Sequence, residues 1–358
     1  MYFDFRTSYW QDIRLIKRSG SAVFFVILFV ALLIAPHVIH PFYVAESSGI
    51  FVFAIIVVGY MIAAGMAGLV SLGHAAFVGV GAYANAVLLS HGVPFLLSAS
   101  IATVVGGILG CALALLSLRL SGLYLAIATL IFGLAVEHLL GVWEGLTGGH
   151  DGILVEDLVI FGANLSTTNG FYYVCLTALL GVILLSGNLM RSQTGRALIA
   201  IRDSEPAAQS LGVNLLFIKT KAFGLSGAIT AFGGALMSHQ IAYITPEGFN
   251  LMLSLQIVLA AVIGGLGSIA GAIMGSAFIG WLPEIISQIK SYLPEAVAYQ
   301  PGPDLFLYGM LLVVFVVYEP LGLYGRWKKI ELRLLTFPMD RKDTFAKTKT
   351  YMKSERVK

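Results

Sequence analysis

The stretch "SLGHAAFVGVGAY", Ser71–Tyr83, packs three glycines, three alanines and a single histidine between long apolar runs. What surrounds it decides what such a cluster of small residues is for. Of the 358 residues, 58% are hydrophobic and 11% charged, and the mean hydropathy is +0.88. Soluble domains carry roughly a quarter charged residues, so this composition cannot cover a water-facing surface. It fits an integral membrane protein.

A membrane-spanning helix needs about 20 largely apolar residues. The candidate spans are Ser21–Val38, Gly49–Val70, Ala75–Leu89, Phe95–Leu116, Leu123–Val142, Phe171–Met190, Ala222–Ile241, Leu251–Gly265, Ile269–Leu282 and Leu305–Tyr318. The expected fold is therefore an all-α polytopic membrane protein of about ten transmembrane segments, some short or broken. The runs are solidly apolar and not alternating, which excludes a membrane barrel. Ser21–Val38 is long for a signal-peptide core and no A-x-A site follows it, so it reads as the first span. Cys111 and Cys175 lie inside apolar runs and read as small packing residues.

The basic residues give an independent check. With a cytoplasmic N-terminus and ten crossings, 21 of the 22 Lys and Arg fall on the cytoplasmic side and only Lys290 lies outside. That distribution obeys the positive-inside rule and puts both termini in the cytoplasm. Three regions follow: a cytoplasmic segment over 1–20, a transmembrane domain over 21–325 holding a cytoplasmic loop at 191–221, and a basic tail over 326–358. The tail opens with "GRWKKIELRLLTF", in which Trp327, Ile330, Leu332, Leu334 and Leu335 alternate with basic residues. Membrane lipid as a partner of this segment and plain topology signal both fit it.

No G-x-x-x-x-G-K-[ST], H-E-x-x-H, G-x-S-x-G or Cys/His metal spacing occurs, so neither ATP binding, a catalytic residue, a metal nor a cofactor is expected. Nothing points to nucleic acid. A transporter, a channel or a structural membrane subunit remains.

In a bilayer, close approach through small residues drives helix association more than apolar burial does. Ala64/Gly68, Ala75/Gly79 and Gly81/Asn85 provide small residues four apart. Gly68–Gly73 falls where a tight cytoplasmic connection is expected, placing His74 at the interface as a neutral cap. A second stretch, "IGGLGSIAGAIMGSAF", Ile263–Phe278, falls at another cytoplasmic turn. Gly73, Gly79, Gly81, Gly264, Gly265, Gly267 and Gly271 are thus the expected packing glycines. Glycine-interrupted segments in matching positions of two halves mark repeats that line a transport path, and tight packing alone explains them as well.

Between the sixth and seventh spans lies "RSQTGRALIAIRDSEPAAQSLGVNLLFIKTK", Arg191–Lys221. Thr194–Ile201 reads as a short helix with Ala197, Leu198 and Ile201 on its apolar face. Asp203 or Ser204 can cap a second, with Glu205 and Pro206 in its first turn and Gly212 after its end. Two short capped helices make a rigid knob suited to docking; a solvated connection is the plainer reading.

This loop resembles the cytoplasmic coupling loop of branched-chain amino acid ABC transporter permeases, through Gly195-Arg196-Ala197, Arg202-Asp203, Ala207-Ala208 and Leu211-Gly212-Val213-Asn214. "GLVSLGHAAFVGVGAY", "GLYLAIATL" at Gly122–Leu130, "LTGGHDGI" at Leu146–Ile153 and "VIGGLGSIAGAIMGS" at Val262–Ser276 agree in order, and the resemblance covers about residues 45–325. The last two elements before the tail resemble the LivM-type subunit. The resemblance implies a non-catalytic subunit of the bacterial inner membrane. Its implied partners are a second homologous permease, two cytoplasmic ATPase subunits and a periplasmic or extracellular solute-binding protein. Gly195, Arg196, Arg202, Asp203, Glu205 and Gly212 are the positions it marks for ATPase coupling.

Ionisable residues inside a membrane are costly and face a cavity or a partner. Glu137 and His138 fall in the outer part of the fifth span, and adjacent helix positions cannot both face one path. Glu137 is expected to face the path or to pair across a helix interface; Glu319 beside Pro320 is expected at the cytoplasmic interface. The rival function is an ion-gradient-driven secondary transporter, which needs mid-membrane ion ligands that only Glu137 supplies. A passive channel lacks a ring-forming charged motif.

Overall fold

The computed structural model describes residues 19–118, 120, 122–290, 309–310, 313 and 322–336. Its α-helices are α1 (Ser19–Val38), α2 (Pro41–Met61, continued by a π-turn over Ile62–Met66), α3 (His74–Ser90), α4 (Phe95–Ser117), α5 (Leu123–Val142), α6 (Glu144–Thr147), α7 (Thr168–Arg191), α8 (Gln193–Asp203), α9 (Glu205–Ser210), α10 (Leu215–Ile241), α11 (Leu251–Gly264), α12 (Ile269–Lys290) and α13 (Gly322–Thr336). Seven described helices are long and apolar enough to cross a membrane: Pro41–Met66, Phe95–Ser117, Leu123–Val142, Thr168–Arg191, Leu215–Ile241, Pro246–Gly264 and Ile269–Ile286. Val26–Val38 and His74–Ser90 are apolar but shorter. The expected span Leu305–Tyr318 and Glu319 lie largely or wholly outside the described residues.

Two helices form the centre. The apolar window of α2 is 83% buried, and α10 packs against α2, α3 and α4 together. Contact is by backbone. A Cβ on Gly81 of α3 would run into Ala231 O of α10, one on Gly110 of α4 into Phe223 O, and one on Gly234 of α10 into Val78 O. Small residues let the helices close to this distance, where dispersion and polar contacts replace a hydrophobic drive that lipid cannot supply. The ends are tied as well: Tyr172 and Tyr173 of α7 donate to Leu32 O and Leu33 O of α1, both at 2.9 Å.

Cross-contacts fix the directions. Gly49 of α2 lies beside Gln240 and Gly59 beside Thr230, so α2 runs antiparallel to α10. Against α3 the order is Ser226 with His74 and Ser238 with Asn85, so α3 runs parallel to α10. One end of the bundle holds Arg191, α8, α9 and the start of α10. The other holds β1 (Ile153–Leu154), β2 (Val159–Ile160), β3 (Ala163–Asn164) and β4 (Tyr243–Ile244), with β1 paired antiparallel to β4 and β2 to β3.

The connection before α3 differs from expectation. Residues 67–73 are not a tight surface turn. Gly68 (φ +72°) ends the π-turn, with Leu69 N–H returning to Ala63 O at 2.9 Å, an αL helix stop. The chain then runs extended into the bundle, with Leu69, Ser71 and Gly73 buried. His74 consequently starts α3 in the interior and is fully buried, not interfacial. Its contact Ser226 lies about 16 Å along α10 at 1.5 Å per residue.

Candidate functional site

Two short helices, α3 and α11, begin at one interior point. Ala75 N–H at the start of α3 donates to Ser254 Oγ of α11 at 3.0 Å, and Leu72 N–H donates to Thr129 Oγ1 of α5 at 2.9 Å. Asn250 Oδ1 caps α11 by accepting from Met252 and Leu253 N–H. A helix start leaves amides without intrahelical partners, and in a dry interior each needs one; here hydroxyls from α5 and α11 serve residues 72 and 75, and the Asn250 cap serves α11. A small cleft of about 10 Å³, room for roughly one water, lies beside the junction, between Leu72, Leu130, Leu134, Phe249 and Asn250.

His74 locks this point to the core. Ser226 Oγ donates to Gly59 O at 2.7 Å. It therefore accepts from His74 Nε2 at 2.8 Å, and Nδ1 accepts from Ser71 Oγ at 2.9 Å. The chain of donors is complete with a neutral ring carrying its proton on Nε2. Tyr60 and Phe77 meet the ring edge-on at 4.8 and 5.3 Å.

At the end that carries α8 and α9, the knob forms as its sequence requires. Ser192 caps α8 by accepting from Gly195 N–H, Ser204 caps α9 by accepting from Ala207 N–H, and Asn214 caps α10 by accepting from Phe217 N–H. Leu198 and Ile201 are buried. The coupling candidates separate into two sets. Arg196 is exposed, with Nη1 donating to Arg191 O at 3.1 Å. Asp203 and Gly212 are exposed too, Gly212 at φ +85° just after α9. Gly195, in contrast, is buried where α8 folds back on α7, and a Cβ there would run into Leu189 O. Arg202 and Glu205 are partly exposed, each side chain at 38%, but make contacts toward the bundle. Arg202 Nη1 donates to Gly65 O in the π-turn at 3.0 Å while its Nη2 pairs with Asp203 at 3.2 Å. Glu205 pairs at 2.8 Å with Lys219, whose side chain is 3% exposed and also donates to Ser117 O at the end of α4.

Lys219 was not legible as a site residue: in sequence it is one of several loop cations. Replacing it with methionine is expected to detach α9 from α4, raising amide exchange over 205–213 roughly tenfold, as loss of about 1–2 kcal/mol of local stability does. Unchanged exchange in that segment would contradict the anchoring role.

The remaining candidates fall as follows. Gly73 packs against Thr129 O, Gly79 against Phe249 and Leu140, Gly264 against Gly271 O, and Gly267 (φ +91°) beside Arg202. Gly265 opens the α11–α12 turn at φ +113°. Glu137 is half-buried and His138 exposed on α5; no hydrogen bond or ion pair joins Glu137 to another described residue, so the expected pairing is not formed among them.

The described residues thus form an all-α polytopic membrane protein with two short interior helices and a capped surface knob. Residues 45–316 match the family described as the branched-chain amino acid transport system / permease component. The chain is 30% identical over 336 residues to the high-affinity branched-chain amino acid transport system permease protein LivM of Salmonella typhimurium, covering 85% of this chain and 76% of that one. The LivM protein of Escherichia coli gives the same values. LivH of Escherichia coli is 25% identical over 293 residues, 76% of this chain and 91% of its own. No solved structure matches. The chain belongs to the branched-chain amino acid transport permease family and is a non-catalytic transport subunit.

Proposed function

We propose that the chain forms half of the translocation path of an ATP-driven importer for branched-chain amino acids or similar small solutes, in the inner membrane of a bacterial cell. A second homologous permease completes the path, two ATPase subunits dock on the α8–α9 knob, and a solute-binding protein delivers substrate on the opposite side. The observation that carries this reading is the knob itself: two capped helices, rigidly anchored through Lys219 yet presenting Arg196 and Asp203 outward. A mere connection between spans needs neither the caps nor a buried lysine. The directions of α2 and α3 against α10 agree with a ten-crossing path, and the distribution of basic residues supports that path with both termini cytoplasmic. The same segments, 1–20, 21–325 and 326–358, then divide the chain into cytoplasmic arm, permease domain and tail. On α13, Trp327 and Ile330 are exposed beside Arg326, Lys328 and Lys329, which supports a tail helix lying on anionic lipid. Glu137 lines the path. Ion-gradient coupling is disfavoured because the groups at the interior junction are hydroxyls, an amide and an imidazole already satisfied within the chain.

The test is extraction of the tagged chain from its own membrane in mild detergent, with its companions identified by mass spectrometry. Two ATPase subunits and a second permease are expected, with leucine uptake by the reconstituted complex; recovery of the chain alone would overturn the reading. Reversing the outer face, with Arg196→Glu and Asp203→Lys together, is expected to release the ATPase subunits while the chain stays folded.

A further inference from the structure

Arg202 touches three glycines that belong to two different turns. Its Nη1 donates to Gly65 O at 3.0 Å. Its stem covers Gly68, where a Cβ would come within 3.0 Å of Cγ and 3.4 Å of Cα. A Cβ on Gly267 would lie 3.1 Å from Nη1. Gly65 and Gly68 end the α2 π-turn; Gly267 sits in the turn between α11 and α12. The two turns also meet directly, with Gly267 N–H directed at Met61 Sδ at 3.0 Å.

From this base two legs run to one apex. The first climbs from Gly68 through residues 69–73 to Ala75. The second runs back along α11 from Gly264 to Ser254, about 15 Å at 1.5 Å per residue. They close on each other through the bond between Ala75 N–H and Ser254 Oγ. Arg202 thus stands at the base of a closed triangle whose apex is the interior junction beside the cleft. A carbonyl freed by a helix end gives the guanidinium a strong acceptor, and Asp203 holds the same guanidinium from the other side, so the side chain moves with α8.

We propose that Arg202 is not an ATPase contact but the joint that passes displacement of the α8–α9 knob to both glycine turns, and through them to the junction of α3 and α11. This rests on the coupling reading above. Asp203 positions the guanidinium, and Gly267 leaves room for it.

The test uses the complete importer with its binding protein in proteoliposomes, measuring leucine uptake and ATP hydrolysis together. For Arg202→Ala the ATPase subunits are expected to remain bound and ATP to be hydrolysed, while leucine moved per ATP falls roughly tenfold, within the usual range of coupling between sites. Gly267→Ala, which crowds the guanidinium from the α11–α12 turn and also strains that turn at φ +91°, is expected to uncouple in the same sense. Arg202→Lys keeps the charge and the fold but offers one nitrogen for two acceptors, and is expected to fall between. Wild-type leucine per ATP in Arg202→Ala or Arg202→Lys overturns the proposal, as does loss of the ATPase subunits, which would make Arg202 a docking residue. A wild-type chain that copurifies with no ATPase would sink the importer reading instead, a separate result.

Discussion

His74→Ala is expected to destabilise the protein by about 2–4 kcal/mol and to abolish solute uptake. Most of that loss comes from packing. The ring is fully buried between Tyr60, Phe77, Ser71 and Ser226, so its removal leaves a cavity lined by rigid backbone on α2, α3 and α10. The hydrogen-bond share is smaller, since interhelical bonds inside membranes average about 0.6 kcal/mol each. Ser226 also keeps its bond to Gly59 O and Ser71 its bond from Gly73 N–H. This ordering gives a series. His74→Phe refills the volume but sets a carbon edge against two hydroxyls, so it falls in the middle, and Ser226→Ala costs least, about 1 kcal/mol. Cys175 is fully buried and Cys111 half-buried, so a thiol-reactive dye reports unfolding on heating. The midpoint is expected to fall in the order His74→Ala, His74→Phe, Ser226→Ala. An unchanged midpoint in His74→Ala would remove the latch from the account.

The spans could be read from sequence because lipid demands long apolar runs, and even two short ones, Ala75–Leu89 and Leu251–Gly265, proved informative: they are short because their helices begin inside the bundle. Nothing local showed that entry. Ser71, His74 and Thr129 look like ordinary interfacial polar residues until their partners are known, and Ser226 lies 152 positions from His74. A lone Ser or His in an apolar run carries no sign of whether water or another helix satisfies it. The knob was legible for the opposite reason. Capping is a short-range matter, so Ser204, Glu205, Pro206 and Gly212 announce α9 by themselves. Its anchoring was not legible: Lys219 and Lys221 read alike as positive-inside charges. Two residues apart on a helix they face different ways, and Lys219 turns into the bundle while Lys221 lies over the Phe217 ring at 4.1 Å. Arg196 and Arg202 are both exposed, yet Arg202 also reaches the α2 π-turn, through Gly65 O.

Gly81→Ala is expected to be among the most damaging single methyls that can be added at the described glycines. The new Cβ would run into the carbonyl of Ala231, with the Ala231 Cα at 2.6 Å. Overpacking of this kind costs about 1–3 kcal/mol or more when the neighbour cannot yield, and α10 cannot. On its far side the Ala231 Cβ already fills the space left by Gly106 of α4. Gly181→Ala on α7 is the matched control: nothing lies within 4 Å of that position and it is exposed, so helix propensity alone acts and stability is expected to hold or rise by up to about 1 kcal/mol. Equal midpoints for the two variants would contradict backbone-to-backbone packing as the basis of the core. A double variant sharpens the point. α3 is only 17 residues long and is fastened on both sides of Gly81, by His74 to Ser226 below and by Asn85 to Ala235 O and Ser238 above. With both fastenings intact, a methyl at Gly81 must bow the helix between them. With His74 removed the lower end can swing away and relieve the clash. His74→Ala with Gly81→Ala is therefore expected to lose less than the sum of the two single losses, by about 1 kcal/mol, as sites coupled through a shared backbone shift do.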